Sequence, residues 1–158
     1  MAAIHDRNAA VLEDMLERHG WPGRHLAGED GAQAAWLVLQ HAIGHPGLLR
    51  RCLPLLQEAA SQGDIPAWQP AFLEDRIRVL EGRPQRFGTQ FDWDATGALQ
   101  PLPLEDPAGV DERRRALGLN SLAERLDELR RNAEPPPADP VQRLAEAEAW
   151  ARVRGWRS

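Results

Sequence analysis

Apolar positions at helical spacing dominate the first half of the chain and predict helices there. A stripe that begins at Val11 predicts helix one over residues 3–19, and Gly20 supplies its end. Helix two is expected over residues 31–43, with Asp30 as its N-cap. Because its central part is apolar on all sides, we expect this helix to be buried.

Two prolines mark the starts of the next two helices. Pro46 suits the first turn of a third helix, which runs to about Gln62. Pro66 suits the first turn of a fourth helix, which begins after Asp64 and stops at Gly82.

The pattern changes over residues 83–105, where aromatic and polar residues alternate. The alternating aromatic residues stand at positions 87, 91 and 93. With a turn over residues 94–97, this pattern predicts a short β-hairpin or flap at about residues 85–104. Pro101 and Pro103 confine the second strand to the edge of a sheet.

Shorter helices follow, and the fold predicted from all elements is an all-α, compact bundle of about five to seven helices with the hairpin. The two next helices are expected over residues 110–117 and 122–131. We predict a helical core domain over residues 1–132, a proline-rich linker over 133–140 and a C-terminal helix over 141–158. The C-terminal helix is a candidate contact for a homodimer.

An acid and a base interrupt the apolar face of the fourth helix. At about 100° per residue, Asp75 shares a sector with Phe72 and Val79, and Arg76 lies beside it. A buried charge needs a compensating partner. One alternative is an ion pair to other side chains that fixes helix packing. The other is a pocket in which Arg76 clamps an anionic or carbonyl group and Asp75 acts as base or orienter.

His41 is the leading candidate for proton transfer, because it ends the helix expected to be buried. Its alternatives are a structural histidine or a general acid/base oriented by Asp75. Gln40 on a neighbouring stripe is a candidate ligand-binding residue. His41 and His45 have the spacing of a helical metal pair, but Gly44 argues that the helix breaks before His45.

The segment over residues 85–90 combines two amides, a hydroxyl and a glycine hinge. Gln85, Thr89 and Gln90 can fix a polar ligand by donor and acceptor pairs, and Trp93 on the hairpin can line it. The alternative is a loop tied to the bundle by its own amides.

Composition excludes several reaction classes. The chain has 158 residues, and all 19 of its basic Lys or Arg residues are arginine. The lack of lysine excludes a lysine Schiff base and a phosphate-loop lysine. No serine stands in a nucleophile elbow, and the single cysteine, Cys52, is expected to be a packing residue in a reducing cytoplasm.

Charge and hydropathy limit the partners. The net charge of −5, with acids and arginines interspersed, argues against nucleic acid. The run Arg113-Arg114-Arg115 is expected to be a solvated helix face. No apolar run approaches the roughly 18 residues of a membrane span, and the N-terminus lacks the order of a signal peptide. We therefore expect a cytoplasmic protein.

Three ordered motifs resemble a family of small bacterial proteins of unknown function. They are Ala35–Ala42 with its Gln-His pair, Leu73–Arg76 with its Asp-Arg pair, and Arg83–Gln90 with its Gly-Thr-Gln end. The resemblance spans about residues 20–125. Ile43 stands where the family pattern has aspartate, and Phe87 where it has tyrosine, which is consistent with a specialised paralogue in a biosynthetic pathway.

These observations lead to a cofactor-independent enzyme that performs acid/base chemistry on a small polar or anionic metabolite. Elimination, cyclisation, isomerisation and hydration or hydrolysis all fit. His41 would transfer protons, Asp75 would assist, and Arg76, Gln85 and Gln90 would hold the substrate. The first alternative is a non-catalytic module that binds a small molecule or a partner. The second is a metal-dependent hydrolase using His41 and His45.

Overall fold

The computed structural model describes residues 1–158 and contains seven α-helices, one two-stranded antiparallel sheet and one short 3-10 helix. In chain order these are α1 (Ala2–His19), α2 (Arg24–His41), α3 (Pro46–Ser61), α4 (Trp68–Leu80), β1 (Phe91–Trp93), β2 (Leu99–Pro101), the 3-10 helix (Pro107–Gly109), α5 (Val110–Ala116), α6 (Leu122–Asn132) and α7 (Pro140–Val153). This confirms the predicted helical fold with a β-hairpin. None of the helices combines the length and the apolar character that crossing a bilayer requires.

Backbone contacts divide the chain into two units. The N-terminal unit comprises residues 1–73, and the C-terminal unit comprises residues 74–158. The predicted division into a core over residues 1–132, a linker over 133–140 and a C-terminal helix over 141–158 stays a prediction.

The N-terminal unit has its core on α3, whose apolar face is buried as one stripe. The buried residues of α3 are Leu48, Leu49, Cys52, Leu56 and Ala59. Trp36 and the first residues of α4 add an aromatic cluster. The ring centroid of Trp36 lies 5.5 Å from that of Trp68 and 6.4 Å from that of Phe72, and the rings of both pairs are nearly perpendicular. Such edge-to-face pairs stabilise a core beyond the area that they bury. Cys52 is fully buried, which confirms its assignment as a packing residue.

The start of α2 differs from the prediction, because its cap comes from a distant part of the chain. The helix begins at Arg24, and Asp30 is not its N-cap. The carboxylate of Asp64 instead accepts a hydrogen bond from the backbone N–H of His25 at 2.8 Å. The glycine at position 28 interrupts the helix with a positive φ of 70°. A helix start capped by a residue outside its own segment leaves no local signal.

The expectation that α2 is buried on all sides is wrong. Only Ala35, Trp36 and Leu39 of this helix are buried, and Leu37 is 51% exposed. The helix therefore packs along one narrow face, and part of its apolar surface stays open to solvent.

The C-terminal unit contains the predicted hairpin. Its register pairs Phe91 with Pro101, Asp92 with Gln100 and Trp93 with Leu99. The turn forms where it was expected, because Asp94 accepts a backbone hydrogen bond from Gly97 and a side-chain bond from the N–H of Ala98. Pro101 ends β2, as the missing N–H of proline requires.

The last helix and the tail after it bind to their own unit. Arg143 of α7 forms an ion pair with Asp92 of the hairpin. Arg157 donates hydrogen bonds to the carbonyl oxygens of Leu80 and Val79, both at 2.9 Å. These carbonyls belong to the last turn of α4, where the Val79 oxygen also accepts from the N–H of Gly82, and Arg157 caps this end of the helix. A homodimer through α7 stays a prediction.

Candidate functional site

Asp75 is fully buried in α4, as the apolar pattern predicted, and it binds the loop over residues 85–90, here called the glutamine loop. Its Oδ1 accepts hydrogen bonds from the backbone N–H groups of Arg86 at 2.7 Å and Phe87 at 3.1 Å. Its Oδ2 accepts from the N–H of Phe87 at 3.1 Å and of Thr89 at 3.2 Å, and from the Thr89 hydroxyl at 2.9 Å. The partner that a buried carboxylate requires is therefore mainly backbone.

This environment sets the chemistry that Asp75 can perform. Burial raises the pKa of Asp75, and the hydrogen bonds from Arg86, Phe87 and Thr89 limit that increase. Because both oxygens already accept hydrogen bonds, a proton from a substrate would have to displace one of these donors. The geometry agrees with a structural role, and a catalytic role for Asp75 stays a prediction.

The adjacent Arg76 points to a different partner. Its Nε donates to Oε1 of Gln90 at 3.4 Å, and burial lowers the pKa of its guanidinium. Asp75 and Arg76 thus bind different parts of the same loop, as expected for neighbours that diverge by about 100° around a helix.

Gln85 closes the glutamine loop through its side-chain amide. The residue is fully buried, and its Nε2 donates to the carbonyl oxygens of Gln90 at 2.8 Å and Leu102 at 2.9 Å. Its Oε1 accepts from the N–H of Gln90 at 2.9 Å, and Nε2 of Gln90 in turn donates to the Thr89 hydroxyl. Both ends of the Gln85 amide are satisfied within the loop, which agrees with the alternative of a loop tied by its own amides.

Two arginines of α5 bind the opposite side of the same loop. Nη1 of Arg114 donates to the carbonyl oxygens of Phe87 at 3.0 Å and Gly88 at 2.9 Å. Nε of Arg113 donates to the carbonyl of Arg86 at 2.8 Å. Arg114 is only 2% exposed, so the predicted solvated arginine face is wrong for these two residues. The loop therefore has its N–H groups on a carboxylate and its carbonyls on guanidinium groups.

Of the predicted site residues, the C-terminal unit brings together Asp75, Arg76, Gln85, Thr89 and Gln90. Trp93 lies half-buried in β1. His41 and Gln40 belong to the last turn of α2 in the N-terminal unit.

His41 is exposed at the end of α2, so its predicted buried position is wrong. Its ring stacks on that of His5, with the ring centroids 4.9 Å apart and the planes 15° apart. Gln40 is half-buried. The two imidazoles line an open cavity of about 270 Å³, called the histidine cavity below, together with Ile4, Asn8, Leu37 and Val38.

His45 lies outside the helix that carries His41, as Gly44 predicted. The α2 helix ends at His41, and His45 is the N-cap of α3, where its Nε2 lies 2.9 Å from Oδ1 of Asp6. The structure contains no group of three or more His, Cys, Asp or Glu side chains that could hold a metal ion.

A second cavity, called the α2 pocket below, lies beside the first turns of α2 and has a volume of about 320 Å³. Its lining combines charged, amide and apolar residues: Arg24, Glu29, Ala32, Gln33, Asp64, Ile65, Pro66, Trp68 and Gln69. Nε of Arg24 donates to the Asp64 carbonyl at 3.1 Å, and its Nη2 donates to that of Gly63, so the guanidinium is fixed by backbone.

Gln69 distinguishes this pocket from the glutamine loop. The residue is 7% exposed, its side-chain amide makes no hydrogen bond to another protein group, and the polar atoms of that amide reach the solvent of the cavity. An amide that faces a cavity offers a donor and an acceptor to a polar molecule bound there.

Sequence reasoning missed Arg114 and Gln69, although helical spacing carried a signal for both. Arg114 follows the buried Val110 by four residues, and Gln69 precedes the buried Leu73 by four. Positions four apart share one helix face, so both polar side chains were on buried faces. The signal was the same one that identified Asp75.

The fold and site together define a small helical protein in which a polar loop closes on a buried aspartate. Residues 1–133 match the sequence model of a family described as "Family of unknown function (DUF6624)", and the chain belongs to that family. This confirms the resemblance inferred from the sequence. No curated protein and no solved structure matches the chain.

Proposed function

We propose that this protein binds a small polar metabolite in the α2 pocket. The observation that carries the proposal is that the Gln69 amide faces this cavity with a donor and an acceptor that no other protein group uses. A net hydrogen bond contributes roughly 0.5–1.5 kcal/mol. A ligand that pairs with the amide gains this free energy on binding.

The surroundings of Gln69 suit a ligand with polar and apolar parts. Ile65 and Trp68 supply apolar contact area, and Gln33 supplies a second amide at the exposed side of the pocket. Arg24 adds a positive charge whose position is fixed by two backbone carbonyls. Few convergent polar groups on a partly apolar wall are typical of small-molecule sites.

The test replaces Gln69 by leucine, which keeps the volume and removes the amide. Gln69→Leu should leave the fold intact, because it keeps the volume and breaks no hydrogen bond within the protein. It should also abolish binding of metabolites found by a thermal-shift screen of the full chain. Gln57→Leu, at an exposed position of α3, is the matched control and should leave binding unchanged. Unaltered binding in Gln69→Leu would overturn the proposal.

The second candidate function is the acid/base enzyme predicted from the sequence. One observation favours it: two imidazoles, those of His41 and His5, stack in the same cavity. In this candidate His41 transfers the proton to or from a substrate bound in the histidine cavity.

Proton transfer can be tested without knowing the product. Metabolites are incubated in D₂O with the protein, and exchange of their acidic C–H groups is followed by NMR. His41→Ala should abolish any catalysed exchange, whereas His19→Ala, at the exposed end of α1, should retain it. Equal exchange in both variants would exclude His41 as the proton-transferring group.

A further inference from the structure

We infer that the ligand of the α2 pocket is a zwitterion, namely a free amino acid with an apolar or aromatic side chain. The inference rests on the proposed function of this pocket and specifies its ligand class. It follows from the signs and the spacing of the charges that line the cavity.

Arg24 offers one donor group that the protein uses weakly. Its Nε and Nη2 are fixed by the carbonyls of Asp64 and Gly63. Its Nη1 lies 3.7 Å from Oε1 of Glu29, which is beyond hydrogen-bond distance, and the Glu29 side chain is 83% exposed. An exposed pair of this length contributes little to stability. A ligand carboxylate can therefore take the place of Glu29 on Nη1.

Glu29 is the matching acceptor for a positive ligand group. Its carboxylate lies on the same cavity as Arg24 and makes only the long contact with that residue. A molecule that carries a carboxylate and an ammonium group satisfies both residues, whereas an anion would leave Glu29 unpaired and a cation would leave Arg24 unpaired. Charge-assisted hydrogen bonds of this kind are the strong ones in small-molecule sites.

The remaining lining defines the rest of the ligand. Ile65 is 4% exposed, and Pro66 and Trp68 extend the apolar wall. Oδ1 of Asp64 is engaged in capping α2 through the His25 N–H. An apolar or aromatic side chain fits this wall, and the Gln69 amide remains available to the polar end of the ligand.

The test is calorimetric titration of the full chain with the 20 common L-amino acids. For the tightest ligand, the N-acetyl and the C-terminal amide derivatives are titrated in parallel. Each derivative removes one charge and should bind about 10-fold more weakly. Glu29→Gln should weaken binding of the free amino acid about 10-fold and leave that of the N-acetyl derivative unchanged. Glu17→Gln, at an exposed position of α1, is the control and should change neither.

Each outcome decides between this inference and the proposed function. If the derivatives bind as tightly as the free amino acid and Gln69→Leu abolishes that binding, the inference of a zwitterionic ligand is overturned, and the proposed ligand binding in the α2 pocket is kept. If no amino acid binds, but other metabolites bind and Gln69→Leu abolishes that binding, the zwitterion inference is again overturned and the proposed function of the pocket is kept. Binding that neither Glu29→Gln nor Gln69→Leu weakens would overturn both the zwitterion inference and the proposed function.

Discussion

Replacing Asp75 by asparagine tests whether the buried carboxylate holds the glutamine loop or is kept for chemistry. The side chain keeps its shape but exchanges one acceptor oxygen for an NH₂ group. If the amide oxygen takes the place of Oδ1, the NH₂ group faces the N–H of Thr89; if it takes the place of Oδ2, the NH₂ group faces the N–H of Arg86. At least one buried N–H therefore loses its acceptor in either orientation.

The magnitude follows from these contacts. One unsatisfied buried donor costs roughly 1–3 kcal/mol, and the remaining bonds weaken because the acceptor is no longer charged. Removing a buried charge offsets part of this loss, since burial raises the pKa of Asp75 and thus disfavours its ionised form. We expect Asp75→Asn to lower the free energy of unfolding by roughly 3 kcal/mol.

The assay is urea unfolding followed by far-ultraviolet circular dichroism, with hydrogen exchange of the Thr89 amide as a local readout. Asp127→Asn, at an exposed position of α6, is the matched control and should change stability by less than about 0.5 kcal/mol. An Asp75→Asn protein as stable as the wild type would refute the reasoning. It would show that the charge of the carboxylate is not needed to hold the glutamine loop.

Three other predictions concern packing and ionisation. Gly23→Ala should destabilise the protein by roughly 1–3 kcal/mol, because a Cβ at this position would lie 1.9 Å from the Asp64 carboxylate. A Cβ at Gly47 in α3 would contact no other atom, so Gly47→Ala should stabilise the protein by about 0.5 kcal/mol. Thermal unfolding of both variants measures the two effects. Burial raises the pKa of Cys52 to about 12, so the thiol of the folded protein should stay protonated and unreactive toward disulfide reagents at pH 8. Rapid labelling of Cys52 in the folded protein would contradict this prediction. Hydrogen bonds, the largest from the Thr96 hydroxyl, lower the pKa of Asp94. The contribution of Asp94 to hairpin stability should therefore be present above the pKa of the unfolded state and lost as the pH falls through the folded pKa. NMR titration of the Asp94 carboxyl group measures this shift.

Elements whose signals are local could be predicted from the sequence. Pro46 at the first turn of α3 and the turn that starts at Asp94 both lie where expected, because proline geometry and an acceptor side chain act within a few residues. The start of α2 was missed because its capping carboxylate, Asp64, follows the next helix in the chain. A cap supplied over that distance is a property of tertiary structure.

The candidate site shows the same limit at the level of single residues. The burial of Asp75 followed from its helical sector, but the nature of its partners did not. Those partners are backbone N–H groups, and they converge only because the loop is held from the other side by Arg113 and Arg114. A sequence displays side chains, whereas the groups that satisfy this carboxylate belong to a loop conformation.

Hydrogen-bond satisfaction separates the two polar clusters that helical spacing places on buried faces. Asp75 and Gln85 have all their side-chain oxygens occupied by the protein itself, as expected where the cluster stabilises the fold. Gln69 is nearly as buried as a residue, but its amide faces the cavity and makes no hydrogen bond to another protein group. Asp75→Asn should therefore lower stability, whereas Gln69→Leu should leave it nearly unchanged. If Gln69→Leu also lost stability, its amide would be part of the fold, and the case for a ligand in the α2 pocket would fail.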